Sequence, residues 1–296
     1  MEKRLNATVP AGMDGKTVKD VARSLLSLSS TRLKKAKRVP GGVRVNGRDV
    51  FVTHVVRAGD EVSILIEPDG AVSPGVMPVA GDVDAVYEDE FLLVLNKPAN
   101  MPVHPSAGHF DDSLANRCAA RYGGVFRPVN RLDCGTSGLM AVARDAHVHA
   151  LLCKSLHTGS FERRYLAVAE GVFAEKEGAV DAPIARAEGS AIKRCVSPDG
   201  QRAVTHYRVL RNNDRFSLVE LVLETGRTHQ IRVHLAHLGH PLAGDFLYGT
   251  EDKALIGRAA LHAWKLRLTH PITGQILEFE RGLPQDMLAL TEGMTE

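Results

Sequence analysis

The chain has 296 residues, of which 44 % are apolar and 24 % are charged, an ordinary globular mix that excludes a disordered chain, a collagen and a small disulfide-dense scaffold. No apolar stretch approaches the roughly 18 residues of a membrane helix and no signal-peptide core follows the first residues, so we expect a cytoplasmic protein without membrane association. Four cysteines with no C-x-x-C pair argue against disulfides and against a zinc ribbon.

The small net charge of +2 hides a strong asymmetry along the chain. Residues 1–60 contain 13 Lys or Arg against 5 Asp or Glu, a net charge of +8, whereas the remaining residues carry a net charge of −6. Five of the basic residues fall within seven positions and form what we call the basic run: Arg32, Lys34, Lys35, Lys37 and Arg38. Such a density attracts phosphates through counterion release, although a basic run can also be a solvated helix face and nothing more.

Residues 16–66 show the pattern of a small folded unit. Thr17 is a suitable N-cap for an amphipathic helix, and a second short helix is predicted around the basic run. The dipeptide Asn46-Gly47 between two short apolar segments predicts a tight hairpin, and a further strand is predicted at residues 62–66. Two small helices, one of them basic, followed by a short sheet indicate a module that presents a positive helix to a nucleic-acid backbone.

The next residues, 68–81, are rich in Pro and Gly and predict a linker. The remainder, residues 82–296, mixes strand and helix patterns without strict alternation. Strands are predicted at residues 91–95, 139–143, 165–169, 203–210 and 216–223. Two helices are predicted after Asp145 and Thr228, which we take as their N-caps. The expected fold class is α+β with a mixed, largely antiparallel sheet.

A histidine cluster in and just after the last predicted helix comprises His229, His234, His237 and His240. The spacing of two of them is compatible with metal binding, but the chain has no H-E-x-x-H motif, and no carboxylate or cysteine pair stands nearby at ligand spacing. We therefore expect structural or RNA-facing histidines and no bound metal. The chain also lacks a P-loop and a dinucleotide fingerprint, which removes support for nucleotide-driven chemistry and hydride transfer.

Residues 130–138 read N-R-L-D-C-G-T-S-G and are the most informative segment. They place Asp133 on a tight loop that leads into a predicted strand, a rigid platform for a side chain that faces a cleft. The simpler interpretation is that Asp133 only satisfies its own turn. The residues alone leave both interpretations open.

This segment resembles the R-L-D-x-x-T-S-G signature of the RluA-type pseudouridine synthases. Further segments resemble the family's motifs in the same order: Asn96-Lys97-Pro98 with His104-Pro105, Arg164-Tyr165-Leu166-Ala167, residues 226–234 (G-R-T-H-Q-I-R-V-H), and Leu261-His262-Ala263 with His270-Pro271. Asn130 stands where members commonly have His, and Arg163 where they commonly have Lys. The resemblance covers about residues 83–285.

The resemblance implies that residues 82–296 are a pseudouridine synthase catalytic domain. Residues 1–67 are more loosely similar to the S-four RNA-binding domain, a small α/β domain that often precedes it. The implied reaction isomerises uridine in RNA: the bond between base and ribose breaks, the base turns, and a carbon of the base is joined to the sugar. Such a reaction requires no cofactor. A uridine in a stacked stem must first be flipped out of the helix.

The resemblance also assigns roles to individual residues. Asp133 is the implied catalytic residue, and Arg232 is the cation that pairs with it and orients it. Tyr165 is expected to offer its ring to the flipped base and its hydroxyl to a proton transfer. Arg131 and Arg227 are expected to hold phosphates or to fill the space of the flipped base, and the basic run is expected to bind RNA.

Three functions remain open at this point. The first is a pseudouridine synthase that acts on ribosomal RNA of the 23S type, and the second is the same chemistry on transfer RNA. The third is a non-catalytic RNA-binding or ribosome-assembly protein with a relic catalytic domain. The retention of Asp133, Tyr165 and Arg232 disfavours the third. We expect RNA as the partner and a monomeric protein.

Overall fold

A computed structural model describes residues 3–26, 28, 30–66, 73, 75–156 and 158–295. The chain divides into two compact units, Met1–Gly70 with Asp145–Leu151, and Ala71–Arg144 with Leu152–Glu296. Part of the predicted linker, residues 68–72 and 74, lies outside the described residues, and the predicted domain boundaries stay a prediction. Within the described part of the chain, no helix is long and apolar enough to cross a membrane.

The first unit packs two helices against a four-stranded antiparallel sheet with strand order β1-β4-β2-β3. Its elements are β1 (Lys3–Thr8), α1 (Val18–Ser24), α2 (Ser30–Ala36), β2 (Val43–Val45), β3 (Arg48–Asp49) and β4 (Glu61–Ile66), with a 3-10 turn at Ala11–Met13. Val21 of α1 and the alternate residues Val62 and Ile64 of β4 are fully buried. Alternate residues of β4 and one face of α1 are therefore buried in the same small core.

The local signals of this unit are confirmed. The Thr17 hydroxyl accepts from the Asp20 backbone N–H, and the Asp20 carboxylate accepts from the Thr17 backbone N–H, which forms a capping box for α1. Asn46 and Gly47 join β2 to β3 with φ values of +49° and +78°, the conformation of the tight hairpin turn. Helix α2 ends at Ala36, so the last two residues of the basic run follow the helix.

The remaining elements belong to the second unit, apart from α4, whose first residues belong to the first unit. They are β5 (Ala85–Glu88), β6 (Leu92–Lys97), α3 (Leu114–Tyr122), β7 (Arg127–Pro128), β8 (Ser137–Ala143), α4 (Ala146–Ser155, at the division between the units), β9 (Phe161–Glu170), β10 (Glu177–Asp181), β11 (Ile184–Arg186), β12 (Arg194–Val196), β13 (Val204–Asn212), β14 (Phe216–Leu223), α5 (Gln230–His237), β15 (Leu261–Thr269), β16 (Ile276–Glu280) and α6 (Gln285–Leu288), with a 3-10 turn at Ala289–Thr291.

Ten of these strands form one sheet with the path β10-β13-β14-β9-β15-β8-β6-β5, on which β16 pairs with β15 and β7 pairs with β8. Strands β11 and β12 form a separate hairpin. Among the described residues the β15–β8 pair is parallel and the other strand pairs of this sheet are antiparallel. The predicted α+β class with a mixed, largely antiparallel sheet is confirmed.

The parallel pair explains one motif glycine. Gly138 lies at the start of β8, opposite Ala263 of β15, with φ at +110°. A Cβ at this position would lie 2.2 Å from the Ala263 carbonyl oxygen. No L side chain fits without moving the backbone, so Gly138 allows β15 to approach the strand that directly follows the Asp133 loop.

Helix α5 lies against the core of the second unit. Ile231 and Leu235 are buried in one cluster with Leu221 of β14 and Met140 of β8. The predicted Thr228 cap is wrong, because α5 begins at Gln230 and its N-cap is His229, which has φ at +58° and no side-chain capping bond. The Gln230 side-chain oxygen instead accepts from the Arg227 backbone N–H and satisfies the preceding turn.

The predicted Asp145 cap of α4 is confirmed by bonds from two backbone N–H groups.

Candidate active site

Asp133 lies on the loop between β7 and β8. The turn is closed by the Asp133 backbone carbonyl, which accepts from the Thr136 N–H at 3.1 Å. The side chain is 29 % exposed, and its Oδ2 lies 3.5 Å from Arg232 Nη1 and 4.0 Å from His229 Nε2. The backbone therefore satisfies this turn, and the carboxylate is free to face a cation and solvent.

Two buried cations, Lys97 and Arg258, donate hydrogen bonds to the backbone of the Asp133 loop. Lys97 is fully buried, and its ammonium donates to the backbone oxygens of Cys134 at 3.1 Å and Met101 at 2.7 Å. Burial lowers the pKa of Lys97 to about 8, and the nearby Asp133 carboxylate opposes that shift. Arg258, also buried, donates to the Gly135 backbone oxygen at 3.0 Å. These bonds pin the loop to the ends of neighbouring strands, which limits the motion of Asp133.

Arg232 is the cation of the site, and Asp245 holds it in place. The Arg232 Nε and Nη2 donate to the two carboxylate oxygens of Asp245 at 2.7 and 2.6 Å, a bidentate pair in which both residues are buried. Burial alone would lower the pKa of Arg232, but the bonds to Asp245 outweigh it and raise the pKa. The predicted pairing with Asp133 is present through the third nitrogen.

No sequence pattern pointed to Asp245. A buried Arg on a half-buried helix does imply an anionic partner, but this acid lies 13 positions further along, beyond the end of α5. Nothing in the local sequence distinguishes it from other acidic residues.

His229 and Tyr248 form one wall of the site. The Tyr248 hydroxyl accepts from the Arg194 backbone N–H at 2.8 Å and lies 2.9 Å from His229 Nδ1. In the tautomer in which the hydroxyl donates to His229 Nδ1, the ring proton is on Nε2, facing Asp133. Burial lowers the pKa of His229, against the opposing effect of Asp133, so the ring is neutral at pH 7. The Tyr248 ring centroid lies 5.0 Å from the Arg232 guanidinium carbon.

Tyr165 lies in the middle of β9, paired with Leu221 and Ala263. It is 4 % exposed. Burial raises the pKa of its phenol, and among the nearby charges Arg163 lowers it and Asp133 raises it. The phenol is consequently protonated at neutral pH.

The other predicted site residues fall into different environments. Arg131, which precedes Asp133 by two positions, is exposed, and so is Arg227, whose Nε donates to the Arg202 backbone oxygen at 3.0 Å. The side chains of the basic run belong to the first unit: Arg32 is half-buried, and the remaining four, Lys34, Lys35, Lys37 and Arg38, are exposed.

Within the predicted histidine cluster, His234 is packed and hydrogen-bonded, whereas His237 is exposed. His234 is fully buried between Thr205 and the Ala182 backbone oxygen. His104 packs edge-on against Phe126. Among the described residues no group of three or more His, Cys, Asp or Glu side chains could hold a metal ion.

His262 provides a pH-dependent prediction. Its Nδ1 accepts from the Ser137 hydroxyl and its Nε2 donates to the Arg281 carbonyl, and burial lowers its pKa to about 4. The unfolded chain, with an ordinary histidine pKa of about 6.5, binds this proton first, so the stability contribution of His262 is lost as pH falls from 6.5 towards 4. We expect about 2 kcal/mol of this loss between pH 7 and pH 5.

Urea unfolding at the two pH values measures the effect. His262→Gln should reduce the pH dependence of the unfolding free energy, whereas a change at the exposed His237, His237→Gln, should leave it unchanged. Equal pH dependence in wild type and His262→Gln would contradict the assignment.

The chain is similar to known proteins over most of its length. The RNA pseudouridylate synthase family model matches residues 91–237. The chain is 43 % identical over 282 residues to the uncharacterised RNA pseudouridine synthase YjbO of Bacillus subtilis, covering 94 % of this chain and 99 % of that protein. It is 44 % identical over 227 residues to ribosomal large subunit pseudouridine synthase D of Zymomonas mobilis, covering 70 % and 71 %.

Among solved structures, human RNA Pseudouridylate Synthase Domain Containing 1 superposes with a TM-score of 0.58 at 28 % identity, covering 70 % of this chain and 86 % of that one. The identity and coverage of the relatives, together with the fold, show that the chain belongs to the RNA pseudouridylate synthase family and is an RNA pseudouridine synthase, an isomerase.

Proposed function

We propose that Asp133 is the catalytic residue of this enzyme and that Arg232 and Tyr165 act with it. The observation that carries the proposal is the arrangement of charge: a partly exposed carboxylate faces an Arg that is itself buried and fixed by a second carboxylate, Asp245. A fixed cation beside an accessible carboxylate orients that carboxylate and limits its rotation, as a nucleophile or proton acceptor requires.

In the proposed reaction the N1–C1′ bond of a flipped uridine breaks, the uracil rotates, and a C5–C1′ bond forms. C5 then loses its proton, and N1, no longer bound to the sugar, takes up a proton. Substrate and product contain the same atoms, so no co-reactant enters. Asp133 attacks either the sugar or the base. Tyr165, protonated and buried in β9, would contact the rotating base. His229 presents a neutral ring towards Asp133 and is suited to donate a hydrogen bond to the uridine.

We further propose ribosomal RNA as the substrate. The support is the relative from Zymomonas mobilis, a ribosomal large subunit pseudouridine synthase, which shares 44 % identity over 227 residues. Transfer RNA stays the alternative substrate. The cytoplasmic location and the monomeric state stay predictions.

Incubation of the purified protein with unmodified 23S-type ribosomal RNA and with transfer RNA transcripts tests the substrate. Carbodiimide labelling followed by reverse-transcription stops then maps pseudouridine on each RNA. Stops in ribosomal RNA alone are expected. Stops confined to transfer RNA would overturn the ribosomal assignment, and stops in neither RNA would redirect the test to partly assembled ribosomal particles.

The basic run is proposed to bind the RNA backbone through the first unit. Replacing Lys34, Lys35 and Lys37 with Ala should weaken RNA binding and flatten the log-log dependence of affinity on salt by up to about three units, because each phosphate that a lysine no longer neutralises removes about 0.7 to 0.9 from the slope. Filter binding across a salt series measures the slope. The matched control removes three exposed lysines outside the run: Lys154, Lys176 and Lys253. Equal slopes in both triple variants would mean that the run is a solvated helix face.

A further inference from the structure

Phe246 is a large aromatic side chain in an exposed position beside the candidate active site. It is 62 % exposed, whereas its predecessor Asp245 is fully buried. Single exposed apolar residues are common on protein surfaces and have no meaning by themselves. The environment of Phe246 is what distinguishes it from exposed apolar residues such as Ile276 on β16, which is 55 % exposed.

The position of Phe246 is set by the ion pair of the site. Asp245 binds Arg232 with both carboxylate oxygens and also accepts from the Leu247 backbone N–H at 3.0 Å, which holds the backbone on both sides of Phe246. The Phe246 ring centroid lies 5.9 Å from the Arg232 guanidinium carbon. The same guanidinium lies 3.5 Å from the Asp133 carboxylate. An exposed ring is thus fixed next to Arg232, the side chain that contacts the proposed catalytic group, Asp133.

The nearby charges suit an RNA strand. Arg131 lies two positions before Asp133 and Arg227 two positions before His229, and both arginines are exposed. The ammonium of Lys193 lies 5.8 Å from the ring centroid of Tyr248, a residue of the same site. A polyanion drawn to these side chains brings its bases next to Phe246. Flipping a uridine also breaks the stacking of its neighbours and leaves their faces open.

We propose that Phe246 is a stacking site for an RNA base next to the target uridine. A phenyl ring presents a flat face that any base can cover, and stacking of this kind strengthens single-strand binding without requiring one base identity. The ring then selects RNA in which the neighbour of the target is unpaired or can be unstacked. This inference rests on the proposed placement of the target uridine at Asp133.

The test compares three variants: Phe246→Leu, which keeps apolar volume but loses the flat face, Phe246→Trp, which keeps the face, and the distant control Ile276→Ala. The probe is the ribosomal RNA transcript in which pseudouridine is mapped. Phe246→Leu should raise KM at least about tenfold, the effect expected when one base no longer stacks on an aromatic ring, and leave kcat within about twofold. Phe246→Trp and Ile276→Ala should behave as wild type.

A series of the same transcript with one abasic ribose, moved through the three positions on either side of the uridine, separates stacking from a structural role. When the abasic ribose stands at the position whose base stacks on Phe246, the RNA should bind wild type and Phe246→Leu equally, because the stacking base is missing. Equal KM values on intact RNA, or a tenfold difference that persists at every abasic position, would overturn the inference.

The placement at Asp133 is tested separately with Asp133→Asn. Asp133→Asn should lose turnover and keep its RNA affinity. If it does so while wild type and Phe246→Leu have equal KM values, the stacking inference is overturned and the proposed function stands. Retained turnover in Asp133→Asn would remove the proposed function, and with it the reason to place the target uridine beside Phe246.

Discussion

Replacing Asp133 with Asn is expected to abolish pseudouridine formation, with a loss of rate on the order of 10⁴-fold or more, the scale seen when an enzyme loses its attacking group. Asn has nearly the same shape as Asp but cannot act as a nucleophile or accept a proton. The Asp133 turn is closed by backbone atoms, and its loop is held by Lys97 and Arg258. The fold should therefore survive the substitution.

Single-turnover measurement of tritium release from RNA labelled at C5 of uridine follows the reaction, because that hydrogen leaves when the new bond forms. Far-ultraviolet circular dichroism and RNA filter binding should match wild type. The matched control is Asp214→Asn, an exposed acid on the turn between β13 and β14. Turnover within tenfold of wild type in Asp133→Asn would exclude Asp133 as the catalytic residue.

The second large effect is expected from Asp245→Ala, which leaves the Arg232 charge buried and without its bidentate partner. Removing one member of a buried ion pair costs about 3–5 kcal/mol of stability, because the remaining charge is shielded from solvent and has lost its bidentate partner. Arg232 should also turn towards Asp133 or solvent, so the rate should fall at least about a hundredfold. Urea unfolding and single-turnover rates measure the two effects.

A double variant separates stability from chemistry. Arg232→Met with Asp245→Leu removes both buried charges and should recover much of the stability, since an apolar pair of similar size fits a buried site. It should not recover activity, because no cation then faces Asp133. Recovery of both stability and rate would show that Arg232 has no part in the reaction, and an unchanged stability in Asp245→Ala would show that the pair contributes nothing to the fold.

Local patterns predicted local structure well in this protein. Thr17 and Asp145 cap helices, Asn46-Gly47 forms the tight turn, and the strand into which residues 130–138 lead is present. For the caps and the turn the responsible contacts join residues only a few positions apart, whereas β8 is held by pairing with the distant strands β6 and β15. The Thr228 prediction failed because Gln230, two residues later, satisfied the turn with its side chain, an option that capping preferences do not include.

The candidate site could be predicted only in part. Its motif residues were identified through their resemblance to a family, and the Asp133–Arg232 contact followed from that. Asp245 and Tyr248 could not be found, because their roles depend on where the chain returns after α5. The packing of the whole sheet determines long-range partners of this kind, and a short sequence pattern carries no information about that packing.

The position of β15 has a consequence for how the protein is made. In the described part of the chain five strands separate β15 from β9, yet β15 lies between β9 and β8 in the sheet. A nascent chain that has not yet released residues 261–269 from the ribosome exposes two unpaired strand edges at the place where the Asp133 loop is later fixed. Such edges pair readily with other chains. We therefore expect slow, chain-length-limited acquisition of activity, and a stalled or truncated product that lacks roughly the last 40 residues should aggregate rather than act as a weaker enzyme.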